Sequence, residues 1–154
     1  KAPLTELFFG KVKEKKKDND LCHKTRITFS ESTMEKGEWR VYTRNSIDRF
    51  SGGTIDGALY TEKTYFNGQT RLEISCDMTG IDREKTRHFF SVLAAAILDL
   101  DRGYLAVGGL TAVGHGLFEV TGIMVNGKRV PREKAEGNER YRMLRDVMIE
   151  SVPH

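Results

Sequence analysis

The spacing of apolar and polar positions changes period several times along the chain. Thr25 to Phe29 alternates, with Ile27 and Phe29 on one face, and predicts a strand. Glu38 to Ile47, carrying Trp39, Val41 and Tyr42, predicts another. Asp48 to Gly57 contains three glycines and is expected to be irregular. Ala58 to Phe66 and Gln69 to Met78 flank Asn67-Gly68, a strong two-residue turn signal. In the second of these, Leu72, Ile74 and Cys76 face one way and Arg71, Glu73 and Ser75 the other, so 58–78 is expected to form a hairpin.

The period then becomes helical. Phe89, Phe90, Leu93, Ala96, Ile97 and Leu100 predict the buried face of a helix over Arg83 to Leu100. Asp82 is placed as its N-cap, Glu84 lies in its first turn and Gly103 just past its end. A short strand, Tyr104 to Val107, a glycine-rich loop and a longer strand, Leu117 to Val125, are expected next. Asn126-Gly127 turns the chain back toward Val130. Residues 136–149 predict an amphipathic helix with Tyr141, Leu144, Val147 and Met148 on one side. At the start, Leu7-Phe8-Phe9 before Gly10 reads as a strand or a helix end, and 13–20 as a polar loop. Mostly strands with a central helix late in the chain make an α+β pattern.

Composition narrows the class. The chain has 154 residues, 38% hydrophobic and 31% charged, which fits one domain over 1–154 and excludes wholesale disorder. The longest apolar run, Phe89 to Leu98, is broken by Ser91 and too short to span a membrane. No secretion signal is visible, and Cys22 and Cys76 lack metal-type spacing. A reducing, cytoplasmic compartment with no metal and no cofactor is expected.

The net charge of +3 is unevenly spread. Residues 1–50 hold 12 Lys/Arg against 8 Asp/Glu, residues 51–100 hold 5 against 7, and residues 101–154 hold 8 against 7. Much of the early surplus is the run Lys11 to Lys17, either a polyanion attractor or simply a solvated loop. Arg40, Arg44 and Arg49 are interleaved with Trp39, Tyr42 and Phe50. That mixture suits single-stranded nucleic acid, where bases stack and phosphates need cations, although the same aromatics could fill a sheet face.

Two stretches carry candidate chemistry. Val107 to Glu119 holds Gly108, Gly109, Gly114 and Gly116. Such glycines let backbone amides face a phosphate, or serve only the geometry of a wide turn. No Gly-Lys-Ser/Thr follows, and a strand rather than a helix is expected after the loop, so neither a P-loop nor a dinucleotide fingerprint is present. Asn45 to Tyr60 places Asp48, Arg49 and Asp56 around Gly52-Gly53, either as a projecting finger or as a long hairpin loop with an internal ion pair. The His115 imidazole suits proton transfer near neutral pH, but His23, His88 and His154 show no partnership with it in the sequence, so no catalytic residue is assigned.

Leu-Phe-Phe-Gly at 7–10, Ile-Asp-Arg-Phe-Ser-Gly-Gly-Thr-Ile-Asp-Gly-Ala-Leu-Tyr at 47–60 and Leu-Ala-Val-Gly-Gly-Leu-Thr-Ala-Val-Gly-His-Gly-Leu-Phe-Glu-Val at 105–120 occur in one order. Together they resemble the RAMP superfamily of CRISPR-associated proteins, above all the repeated backbone subunits of type III effector complexes, over roughly residues 4–125. The resemblance implies a ferredoxin-like, RRM-like core with insertions, a glycine-rich loop near a CRISPR RNA and a thumb-like hairpin that wedges into the guide–target duplex. On this basis Arg44, Arg49 and Phe50 are expected to contact RNA from the finger. Gly108, Gly109, Gly114, His115 and Gly116 are expected to approach the RNA backbone.

The chain departs from the family in two places. The early portion bearing the first strand and the cutting aspartate is not found. The domain is therefore expected to be incomplete at its N-terminus, its open edge covered by a missing segment or by other effector subunits. Ala112-Val113 stands where the family loop commonly has Ser-Arg, and His115 where an aromatic or aliphatic residue follows. The expected partners are CRISPR RNA, target RNA and other effector subunits, with no membrane. The alternatives are a metal-independent endoribonuclease using His115 and a scaffold that contacts only protein.

Overall fold

The computed structural model describes residues 3–10, 24–131 and 137–152; the expected loop over 13–20, with its lysine run, lies outside them. The fold is α+β, built from helices and small two-stranded antiparallel sheets. It divides into two compact units, one spanning 27–76 and the other 1–26 with 77–154.

The unit over 27–76 contains four strands: β1 (Ile27–Phe29), β2 (Glu38–Ile47), β3 (Thr54–Phe66) and β4 (Ile74–Cys76). β2 pairs with β3 from Glu38↔Phe66 to Asn45↔Leu59 and again at Ile47↔Thr54, with a register shift between Asn45 and Ile47. β1 pairs with β4 from Ile27↔Cys76 to Phe29↔Ile74, and a single bridge joins Glu35 to Gln69 between the two ladders. Both ladders and the bridge follow nearly one antiparallel register, so the unit is one long hairpin whose strands are interrupted partway.

The expected hairpin over 58–78 does not form. β3 turns to β2 instead, and only Ile74–Cys76 of the expected partner is a strand, paired with β1. The energetic reason lies in what β2 offers: a ten-residue partner with the cross-strand ring contacts Trp39–Tyr65 (5.0 Å) and Tyr42–Phe66 (5.6 Å). Asn67 has φ 53, but Gly68 does not join it in the left-handed region that the tight turn requires. The Tyr65 ring fills the space beside Gly68 and Gly37, where an added Cβ would lie 2.6 Å from its Cε1. The Tyr65 hydroxyl accepts from the Gly37 N–H at 2.8 Å, pinning the root of the ribbon. β3 also starts at Thr54, earlier than expected, and passes Gly57 with φ 76 where the register shifts. β1 is shorter than Thr25–Phe29, and of its two apolar residues Ile27 is buried while Phe29 is exposed.

The other unit holds α1 (Leu4–Phe9), α2 (Arg83–Asp101), a 3₁₀ turn (Thr111–Val113), β5 (Ile123–Val125), β6 (Lys128–Val130) and α3 (Asn138–Glu150). The opening apolar segment is thus a helix; it buries Phe8, whose ring stacks on Phe89 at 3.9 Å. α2 begins as expected, with the Asp82 carboxylate accepting from the Lys85 N–H at 2.8 Å, and Gly103 follows its end with φ 74.

Its buried stripe is rotated from the expected one. Thr86, Phe90, Ala94 and Leu98 recur every fourth residue beside Phe89, while Leu93, Ala96, Ile97 and Leu100 are only half-buried. Ala94 is fully buried, and α3, which packs on α2, adds the buried Leu144 and Met148. A buried ion pair ties the helices: Asp101 at the end of α2 accepts from Arg140 Nη1 at 2.5 Å and from the Val120 N–H at 2.7 Å.

β5 and β6 form the expected second hairpin, with Asn126 and Gly127 at φ 46 and 79. The strand expected at Tyr104–Val107 is absent: the Tyr104 and Leu105 N–H groups bond back to the Asp99 carbonyl, and Tyr104 is 80% exposed. The strand expected at Leu117–Val125 survives only at Ile123–Val125. No neighbouring strand runs beside 117–122 among the described residues, so this part has no ladder hydrogen bonds to hold it as a strand. Among the described residues no helix is long and apolar enough to cross a membrane.

Candidate nucleic-acid interface

The β2–β3 ribbon is about 34 Å long at about 3.4 Å per residue, and its apex is built by one carboxylate. Asp48 Oδ1 accepts from the Phe50 N–H at 2.6 Å and the Ser51 N–H at 3.2 Å, an Asx turn. The Asp48 N–H donates to the Gly53 carbonyl and the Gly52 N–H to the Asp48 carbonyl, both at 2.9 Å, and Gly52 supplies φ 67. Asp48 is thereby spent on backbone, and Arg49 and Phe50 are presented outward. Phe50 is fully exposed at 102%, with Ile47 and Ile55 exposed beneath it. Arg44 lies lower on the ribbon, where its Nε sits 2.9 Å from a Glu62 carboxylate oxygen.

Pleating divides the ribbon into two faces. One carries Glu38, Arg40, Tyr42 and Arg44 opposite Phe66, Thr64, Glu62 and Tyr60. There Arg40 pairs with Glu38 and Arg44 with Glu62, and the Arg40 guanidinium lies over the Phe66 ring. The other face carries Trp39, Val41, Thr43 and Asn45 opposite Tyr65, Lys63, Thr61 and Leu59, with no carboxylate. Here Lys63 Nζ lies 4.8 Å from the Trp39 ring centroid. Sequence reading did not single out Lys63, because its cross-strand neighbours follow from the β2–β3 pairing, which the strength of Asn67-Gly68 as a turn signal concealed.

The glycine-rich loop belongs to the other unit. The Val107 N–H donates to the Gly116 carbonyl at 2.9 Å and closes its neck. Within it the Val113 and His115 N–H groups both reach the Leu110 carbonyl. Gly108, Gly114 and Gly116 have φ of 99, 90 and 76, so their identity is a backbone requirement. At Gly116 a Cβ would also overlap the Val107 carbonyl. Gly109 differs: its φ is not left-handed and no atom lies within 4 Å of where a Cβ would sit. Leu110 beside it is left-handed at φ 57 and ψ 26, which costs a leucine about 1–2 kcal/mol. His115 is half-buried. From Gly103 to Gly127 the sequence contains no Lys or Arg.

The structure thus gathers Arg49 and Phe50 at one tip and the glycines with His115 in one loop, while Arg44 stands apart on the ribbon's charged face. Among the described residues no cluster of three His, Cys, Asp or Glu could hold a metal ion.

No curated protein matches the chain. The family model of the RAMP superfamily matches residues 6–119, taking in most of α1, the whole ribbon, α2 and the glycine-rich loop. This chain, with its long two-stranded ribbon and its closed glycine loop, belongs to the RAMP superfamily of CRISPR-associated proteins.

Proposed function

We propose that the chain binds RNA as a subunit of a type III CRISPR ribonucleoprotein, holding CRISPR RNA and target RNA. The observation that carries the reading is the ribbon tip. An Asx turn holding a fully exposed phenylalanine beside an arginine has no role in the unit's own packing, and it fits insertion against unpaired bases beside a phosphate. Arg49 is the principal cation. Arg44, already held by Glu62, contributes less. At the glycine loop, backbone amides near Gly108 and Gly109 supply contact without a side-chain charge. The reading includes a ferredoxin-like core, completed at its open sheet edges by a segment or subunit beyond the strands described above, and a cytoplasmic location.

One observation favours a second reading at the glycine loop, that of a protein-contact scaffold. Leu105, Val107, Leu110, Val113 and Leu117 are exposed there without a cation among them. Salt separates the two readings, since RNA binding weakens steeply as salt rises.

The test is anisotropy of a labelled single-stranded RNA titrated with the protein at several salt concentrations. Phe50→Ala should weaken binding about 5- to 100-fold, the range expected for losing one stacked base. Arg49→Ala should flatten the salt slope by about 0.7, and Arg44→Ala by less. Wild-type affinity and slope in the Arg49/Phe50 double variant would remove the tip from the interface.

A further inference from the structure

We infer that one face of the ribbon, the one bearing Trp39 and Lys63, is a second nucleotide-binding site below the tip. There an unpaired base stacks on the Trp39 indole and the adjoining phosphate meets the Lys63 ammonium. This rests on the RNA-binding reading and specifies which side of the ribbon the strand follows.

Three observations converge on it. First, the indole is 61% exposed on a ribbon face that it shares with Val41 (63%) of β2 and Leu59 (69%) of β3, so the unit's own packing leaves most of this apolar surface open to solvent. The Tyr65 ring meets Trp39 edge-on at 63° and fixes its orientation rather than covering it. Second, the two faces differ in how their charge is used. On the opposite face each arginine is engaged by a glutamate, Arg40 by Glu38 and Arg44 by Glu62, so that face offers a polyanion little net attraction. The Trp39 face has one cation and no carboxylate. Third, Lys63 lies over the indole, 4.8 Å from its centroid, and its flexible stem lets an incoming base take the ring face while the ammonium swings to the adjoining phosphate. A cation at the ring of an exposed tryptophan is the pairing a nucleotide uses, the ring for its base and the ammonium for its phosphate. Neither group reads base edges, so the site takes single-stranded RNA with little sequence preference. Hydroxyls of Thr43 and Thr61, a cross-strand pair on the same face, continue the polar surface toward the tip.

Trp39 is the only tryptophan in the chain, so intrinsic fluorescence reports this site alone. The experiment titrates the full chain with unlabelled oligouridylate while reading tryptophan emission, and in parallel reads anisotropy of the same oligomer carrying a label. Saturable quenching with the midpoint of the anisotropy curve is expected. Trp39→Ala should weaken binding about 5- to 100-fold and Trp39→Phe by much less, because a ring is retained. Lys63→Ala should flatten the salt slope by about 0.7. Arg40→Gln, on the opposite face, should leave both affinity and slope unchanged. Binding by anisotropy with no change in emission and no effect of Trp39→Ala would overturn the assignment while leaving RNA binding at the tip standing. No binding by either readout would overturn both. A concentration-dependent blue shift of the emission without RNA, with a rise in sedimentation coefficient, would assign the face to protein contact instead.

Discussion

Gly116 and Gly109 lie in the same loop and should answer the same substitution differently. Gly116→Ala places a methyl on the Val107 carbonyl at a left-handed backbone position, and should cost about 2 kcal/mol or more, measured as a lowered urea midpoint. Gly109→Ala meets open space and an ordinary φ, so stability should change by no more than about 0.5 kcal/mol. If the loop lies against an RNA backbone, the same methyl should weaken RNA binding without unfolding anything; equal affinity in the folded variant would place RNA elsewhere. Asp77 makes a second residue-scale prediction. Hydrogen bonds from Thr79, foremost from its side chain and also from its N–H, hold the Asp77 carboxyl below the ordinary carboxylate range, with Arg26 adding attraction. A depressed folded value means that the stabilisation is present above the unfolded value, near pH 4, and disappears as pH falls through the folded one. Asp77→Asn should therefore lower the melting temperature at pH 7 and bring wild type and variant together in acid. A constant gap down to pH 2 would show that the bonds do not depend on the charge.

At the scale of elements, the tie between α2 and α3 is the most exposed to test. The Asp101 side chain is 6% accessible and Arg140 18%, so Asp101→Ala strands a largely buried guanidinium and frees the Val120 amide. A loss of about 3–5 kcal/mol is expected in denaturant unfolding, whereas Asp101→Asn should lose less because it can still accept from Val120. A loss under about 1 kcal/mol for the alanine would mean that the helices are held by Ala94, Leu98, Leu144 and Met148 alone. Some elements were legible from spacing because their cause is local. Asp82 caps α2, Asn126-Gly127 closes β5–β6, and β2 matches Glu38–Ile47 at both ends. Two of the misread elements depend on a partner, whereas the strand expected at Tyr104–Val107 is lost to local bonds to the Asp99 carbonyl. Asn67-Gly68 promised a turn, but β3 pairs with β2 instead, and the Tyr65 ring packs beside Gly37 and Gly68. Leu117 to Gly122, expected to continue the strand, has no ladder beside it among the described residues. The candidate site divides in the same way. Arg49 and Phe50 stand out from their loop by type and position, whereas Lys63 acquires its place beside Trp39 only through a pairing that spacing did not reveal.

For the molecule as a whole, the binding reading predicts that the purified chain does not cleave end-labelled single-stranded RNA, with or without magnesium. Asp48 is committed to the tip's backbone, and no acidic cluster of metal-binding kind occurs among the described residues. Cleavage abolished by His115→Ala would promote the nuclease alternative, and cleavage abolished by Asp56→Ala would locate an acidic centre in the ribbon. The hairpin over 27–76 has one further consequence. Its ends, Ile27 and Cys76, are paired partners, and the residues just outside them meet as well, with the Asp77 N–H donating to the Arg26 carbonyl at 2.8 Å. A segment that leaves and re-enters the chain at one point behaves as an interchangeable arm, because its length does not alter the gap that its ends must bridge. Adding or deleting two residues in each strand of the ribbon would keep every side chain on its side and alter the arm's reach by about 7 Å. A change of one residue per strand would swap the two sides. Evolution can therefore retune how far such an arm extends in coarse, even steps, like notches on a gauge, while Arg26 and Asp77 keep their places.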